Sequence, residues 1–131
     1  MYKYQTKVRL HHTDAAGVIF FSNLFVFAHE CYESFIEQTK SFALLLEECQ
    51  YLVPIVHAEA DYLLPIGLSQ TLNIEMTLKS IGTTSFEIDY DIKNENNETA
   101  ATAKTVHVVL DAKTKKSIEV PQMIRDILEK L

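Results

Sequence analysis

The chain has 131 residues, room for one domain with its own core and too few for two ordinary ones. At 47% hydrophobic and 23% charged, its composition is that of a folded soluble protein rather than a disordered one. The formal net charge of −6 argues against a nucleic-acid binder, which needs surplus Lys and Arg to neutralise phosphates. A phosphorylated small molecule stays open, because a few local cations or helix N-terminal amides can hold one.

Tyr2 to Leu10 alternates, with Tyr2, Tyr4, Thr6, Val8 and Leu10 on one side and Lys3, Gln5, Lys7 and Arg9 on the other, the pattern of a half-buried strand. The alternation breaks at His11 to Gly17, which reads as a loop. From Ser22 to Thr39 the period becomes helical: Leu24, Phe25, Ala28, Cys31, Tyr32, Phe35 and Ile36 recur at three- and four-residue steps as one apolar stripe. A shorter helix is expected next, with Ser41 as N-cap and Phe42 to Glu48 as its body. Val53 to Leu64 sets Val56, Ala58, Ala60 and Tyr62 against His57, Glu59 and Asp61. Thr71 to Ile81 and Ser85 to Ile92 alternate around the turn Ile81-Gly82-Thr83-Thr84, which suits a hairpin. Ala100 to Asp111 reads as another long strand, and Pro121 opens a terminal helix through Leu131. The polar stretches Lys93 to Thr99 and Lys113 to Ser117 read as turns.

Consecutive strands with segregated helices indicate an α+β fold in a single domain, with one antiparallel sheet of five or six strands around the long helix. One helix cannot cover both faces of a sheet, so the other face or an edge should meet another subunit. The two cysteines, Cys31 and Cys49, form no CxxC pair, and Cys31 sits on the apolar stripe as a small hydrophobe. No apolar run approaches the ~20 residues that span a bilayer. The N-terminal Met1-Tyr2-Lys3-Tyr4-Gln5 lacks the apolar core of a signal peptide. A reducing, cytoplasmic setting without a membrane partner is the expectation.

The run Val8-Arg9-Leu10-His11-His12-Thr13-Asp14-Ala15-Ala16-Gly17-Val18-Ile19-Phe20-Phe21-Ser22-Asn23 resembles the signature of the 4-hydroxybenzoyl-CoA thioesterase family. There a strand leads into a loop with Asp, small residues and Gly, and aromatic residues open the long helix. Two further segments, Ala28-His29-Glu30-Cys31-Tyr32-Glu33-Ser34 and Leu52-Val53-Pro54-Ile55-Val56-His57-Ala58-Glu59-Ala60-Asp61-Tyr62, are most similar to the 1,4-dihydroxy-2-naphthoyl-CoA thioesterases of quinone biosynthesis. The resemblance implies a hotdog fold and hydrolysis of an aromatic acyl-CoA, with 4-hydroxybenzoyl-CoA or fatty acyl-CoA as alternatives. It implies no metal and no redox cofactor, coenzyme A being part of the substrate. It further implies a homodimer with active sites at the seam, paired into a homotetramer. A non-catalytic acyl-CoA-binding hotdog protein is the rival from another class.

The chemistry fits the residues. Thioester hydrolysis needs a carboxylate or activated water to attack, and donors for the charge that develops on the carbonyl oxygen. Asp14 precedes a helix whose first N–H groups are unpaired, and Gly17 permits positive φ or close backbone approach. The resemblance makes Asp14 the nucleophile or general base and the backbone N–H of Phe21 the polarising donor. Asp is also an ordinary turn or cap residue. Another branch of hotdog thioesterases carries its carboxylate on this helix, which makes Glu30 or Glu33 the alternative. His29-Glu30-x-x-Glu33 has only half of a zincin helix, lacking the second His. His11 and His12 flank the motif, and Phe21 stands where short-chain relatives carry a His. Phe20, Phe21, Phe25 and Tyr32 offer walls for an aromatic acyl group. His57 is a candidate for the substrate pocket, and Lys79, Thr83, Thr84 and Ser85 for the nucleotide end of CoA.

Overall fold

The long helix is an amphipathic segment whose apolar stripe decides where it packs. The computed structural model describes residues 1–39 and 50–131. In it α1 spans Asn23–Gln38 and buries Leu24, Phe27, Ala28, Cys31, Tyr32, Phe35 and Ile36. The expected stripe is present with one exchange. Phe27 is fully buried, while Phe25 is only partly so and borders a cleft. The expected short helix from Ser41 to Glu48, and Cys49, lie outside the described residues.

The sheet around α1 has five antiparallel strands: β1 (Tyr2–Lys7), β3 (Ile55–Tyr62), β4 (Thr71–Ile81), β5 (Ser85–Lys93) and β6 (Thr99–Val108). Their spatial order is β1-β4-β5-β6-β3, so β1 and β3 are the edges. A small separate ribbon joins β2 (Tyr51–Leu52) to β7 (Leu110–Asp111). The helix α2 (Gln122–Leu128) closes the chain with Ile124 and Leu128 turned inward.

Strict alternation on β4 and β5 sends Leu72, Ile74 and Met76, and then Phe86, Ile88, Tyr90 and Ile92, toward α1. On β6 the inward positions include Ala101 and Ala103, small enough for a helix to approach the strand closely. Each large apolar side chain buried this way contributes about 1.5–3 kcal/mol, so this face is where the fold gains its stability. The opposite face is charged and solvated, with Lys93 on Glu75 at 2.7 Å and Lys104 on Glu59 at 3.4 Å.

Several expected boundaries move, and the terminal helix ends at Leu128 rather than Leu131. β1 ends at Lys7, and Leu10 enters a 3-10 turn with His12 and is exposed rather than inward. The segment expected as a strand from Val53 starts at Ile55, because Tyr51 and Leu52 pair with β7 instead. The long final strand breaks at Val109, whose N–H donates to Thr84 O at 3.0 Å in the neighbouring turn. Pro121 caps α2 from just outside, where its missing N–H costs no hydrogen bond.

β3 differs from every other strand. Its residues are nearly all exposed, Ile55, Val56 and Tyr62 among them. Leu63, Leu64 and Leu68 continue the apolar surface beyond its end. An edge strand with unpaired backbone and apolar side chains on the α1 side is a template for pairing with another chain.

Candidate active site

Between β1 and α1 the chain makes a tight hairpin. Thr13 bridges Ile19, the Asp14 N–H donates to Val18 O at 2.9 Å, and the Phe20 N–H donates to His12 O at 2.8 Å. The turn is closed by Gly17 N–H on Asp14 O at 3.1 Å, with Gly17 at φ +82°. A three-residue hairpin loop of this kind needs a left-handed residue at its last position, and glycine takes that conformation without a Cβ clash. The hairpin is fastened to the segment joining β3 to β4 by Ile19 N–H on Ile66 O at 2.8 Å and by pairing of Val18 with Gly67.

Asp14 stands exposed on this hairpin. Its Oδ1 accepts from the Ala16 N–H at 2.8 Å, and among the described residues Oδ2 has no partner. One oxygen therefore orients the carboxylate while the other is left for a reactant. At the base of the hairpin Phe21 is also exposed, its ring 4.9 Å from that of Phe20. Among the described residues the N–H groups of Phe21 and Ser22 have no acceptor. They lie where α1 leaves its first donors unpaired and its dipole is positive.

Two apolar recesses adjoin the hairpin and α1. One, of about 380 Å³, is lined by Val18, Ile19, Tyr62, Leu63, Leu64 and Ile66. The other, of about 520 Å³, runs between α1 and the sheet beside Phe25, Val26, His29, Glu30, Ile55 and Thr105. Glu30 is half-buried there, and burial, then the neighbouring Glu33, raises its carboxyl above the ordinary range. Of the two alternative carboxylates on α1, Glu30 thus borders the recess, whereas Glu33 is exposed. Tyr32 is no wall of the recess. It is buried, with its hydroxyl pushed up to about 12 by desolvation, and its ring packs 4.9 Å from His107. Burial likewise pushes the Cys31 thiol up to about 12, consistent with a core residue.

The remaining expected site residues are not brought to Asp14 within one chain. His57 pairs with Glu59 at 3.1 Å on the sheet face turned away from α1. Lys79 is at a bulge on that same outer face. Thr83, Thr84 and Ser85 form the β4–β5 turn, where Thr83 O accepts from Val120 N–H at 2.8 Å and Gly82 O from Arg125 Nη2 at 2.8 Å. The hairpin sits at the Thr71 end of β4 and this turn at the Ile81 end, about 33 Å apart at the usual rise per residue.

Three residues that support the hairpin went unassigned in the sequence. His12 is buried, accepts from the Arg9 N–H at 2.8 Å through Nδ1, and meets Phe27 edge-on at 4.7 Å. Burial, then His11 and Arg9, lowers its protonation below the ordinary histidine range, in keeping with Nδ1 as an acceptor. Asn23 donates from Nδ2 to His12 O at 2.7 Å, and the Tyr62 hydroxyl donates to Phe21 O. A polar residue opening a helix was the only signal for Asn23, and nothing local marks Tyr62. Among the described residues, no group of three or more His, Cys, Asp or Glu side chains is placed to hold a metal ion.

A carboxylate loop entering a long helix, wrapped by an antiparallel sheet, is the hotdog arrangement, and the thioesterase-like superfamily matches residues 8–128. The chain belongs to that superfamily. Among curated proteins it is 34% identical to the 1,4-dihydroxy-2-naphthoyl-CoA hydrolase of Synechococcus elongatus, over 98% of this chain and 95% of that one. The enzyme of the same name from Rippkaea orientalis is 35% identical over 88% of this chain and 86% of its own length. Among solved structures, a 1,4-dihydroxy-2-naphthoyl-CoA thioesterase from Synechocystis superposes with a TM-score of 0.90 at 28% identity, covering 99% of this chain and 96% of that one.

Proposed function

We propose that the chain is an acyl-CoA thioesterase that hydrolyses an aromatic acyl-CoA, foremost 1,4-dihydroxy-2-naphthoyl-CoA, to the free acid and CoA, a step of quinone biosynthesis. The observation that carries this reading is the hairpin, which puts on one short element a carboxylate with one free oxygen and backbone amides unpaired among the described residues. The relatives named above supply the acyl group. In this reading Asp14 attacks the thioester carbonyl or takes the proton from an attacking water. The negative charge then forms on the carbonyl oxygen, facing the Phe21 N–H and the positive end of α1. Collapse expels CoA as its thiolate, which takes up a proton; where Asp14 itself attacks, water then hydrolyses the Asp14–acyl anhydride, releasing the free acid and restoring the carboxylate. Gly17 sets the turn that aims Asp14. No metal or redox cofactor takes part, and the enzyme works in the cytoplasm.

The site is completed by a second copy. The exposed β3 edge, its apolar neighbours and the distance between Asp14 and the β4–β5 turn all support an antiparallel β3–β3 seam. Such a seam turns one chain's β4–β5 end, with Lys79, Thr83, Thr84 and Ser85, toward the other chain's hairpin, where these residues would meet the nucleotide end of CoA. His57, also on β3, lies along that seam. Dimers then pair into a homotetramer.

The test is a panel of CoA thioesters: 1,4-dihydroxy-2-naphthoyl, 4-hydroxybenzoyl and palmitoyl. The expected kcat/KM is highest for the naphthoyl thioester. Faster palmitoyl turnover would overturn the aromatic assignment, and binding of all three without CoA release would leave a non-catalytic acyl-CoA binder.

A further inference from the structure

The start of α1 is held from two sides. Tyr62, the last residue of β3, donates its hydroxyl to the carbonyl oxygen of Phe21, 41 residues earlier in the chain. From the other side, Asn23 Nδ2 donates to His12 O at 2.7 Å, and the same oxygen receives the Phe20 N–H at 2.8 Å. His12 cannot follow a loose segment, because its ring is buried against Phe27 and its Nδ1 is occupied by the Arg9 N–H. Phe20 to Asn23 is therefore tied at both ends, and among the described residues the N–H groups of Phe21 and Ser22 between the ties have no acceptor.

The tie from Tyr62 has an electronic as well as a geometric effect. The Phe21 carbonyl belongs to the same amide as the Ser22 N–H. A hydroxyl bound to that oxygen draws electron density from the amide and makes its N–H a better donor. It also fixes the orientation of Phe21, so that no reorganisation is needed as charge develops on a bound carbonyl. A loop without this contact would spend part of its time with those amides turned to water.

We propose that Tyr62 is a positioning residue that orients the amides at the start of α1 for polarising the thioester carbonyl. The proposal rests on the thioesterase reading above. It adds that the amide site is tied to the seam strand β3 and not to α1 alone.

The test is Tyr62→Phe in the full chain, which removes the hydroxyl and keeps the ring. The expected outcome is a loss of about ten-fold in kcat, with KM, oligomeric state and thermal midpoint unchanged, the mark of an interaction that matters in the transition state. A ring-fluorinated tyrosine at position 62, assayed at a pH where its hydroxyl stays protonated, keeps and strengthens the donor and is expected to hold kcat at or above the unsubstituted level; a loss as large as that of Tyr62→Phe overturns the proposal. Unchanged kcat in Tyr62→Phe overturns the proposal, and so does a loss that appears only as raised KM or as dissociation into monomers. If the unsubstituted chain releases CoA from no thioester, the thioesterase reading fails and this proposal fails with it.

Discussion

The two faces of α1's surroundings are built on different rules. Along its body, Leu24, Phe27, Ala28 and Cys31 are at most 1% exposed against a sheet face of Leu72, Ile74, Met76, Phe86 and Ile88 that is equally closed. At its start and along β3 the reverse holds, with Phe20, Phe21, Val56, Tyr62 and Leu63 standing 47–61% exposed. Water-exposed aromatic and branched side chains contribute little to folding. They cluster beside a carboxylate with a free oxygen and unpaired amides among the described residues, and the proposed reading assigns this surface to a ligand and a second copy. The body stabilises the fold, and the start of α1 is left unfinished for function.

The comparison can be broken first in the body. His107 is 1% exposed, stacked on Phe86 at 4.7 Å, and bonded through Nε2 to Thr105 Oγ1 at 2.8 Å. Among the described residues its Nδ1 has no partner. Burial, with His29 adding to it, pushes this ring down to about 4 from its ordinary 6.5. Between those values the unfolded chain binds the proton and the folded chain does not. The contribution is thus complete above pH 6.5 and is lost as pH falls toward 4. The loss is on the order of 3 kcal/mol. Denaturant midpoints measured across this range should fall steeply for the native chain and much less for His107→Phe. Equal slopes would remove His107 from the account of the core.

The smaller effect lies in the hairpin. A Cβ at Gly17 meets nothing within 4 Å, so Gly17→Ala costs only the strain of its φ of +82°. That strain is about 1 kcal/mol. Because the same turn aims Asp14, kcat should fall by more than the stability loss accounts for, and Gly17→Asn should be milder in both respects. A Gly17→Ala chain with unchanged melting and unchanged kcat would show that the turn does not need a left-handed residue.

How much of this was legible in the sequence follows the same division. Alternation in Leu72 to Met76 and Phe86 to Ile92, and the helical recurrence in Leu24 to Ile36, gave the sheet and the long helix nearly to the residue, because burial on one face imposes a period on the residues. Phe27 escaped because the stripe through Phe25 fits the same spacing. Leu10 was misplaced because alternation cannot foresee that Arg9 and His12 close a 3-10 turn. The loop motif singled out Asp14 and Gly17, which share one hairpin turn. The supports of that loop were not legible, since the contacts of Tyr62 with Phe21 and of Asn23 with His12 join residues that share no pattern. Residues on β3 and at the β4–β5 turn have no partner for Asp14 within a single chain, and a period along one sequence carries no information about a second copy.

The most direct test of the central claim is CoA release from 1,4-dihydroxy-2-naphthoyl-CoA by the native chain and by Asp14→Asn, measured side by side with their melting curves. Asn keeps an oxygen for the Ala16 N–H, so the hairpin and the melting midpoint should be unchanged. The expected kcat falls about 1,000-fold, the range for loss of a general base or nucleophile. Undiminished turnover in Asp14→Asn would contradict the assignment of the hairpin carboxylate as the catalytic group.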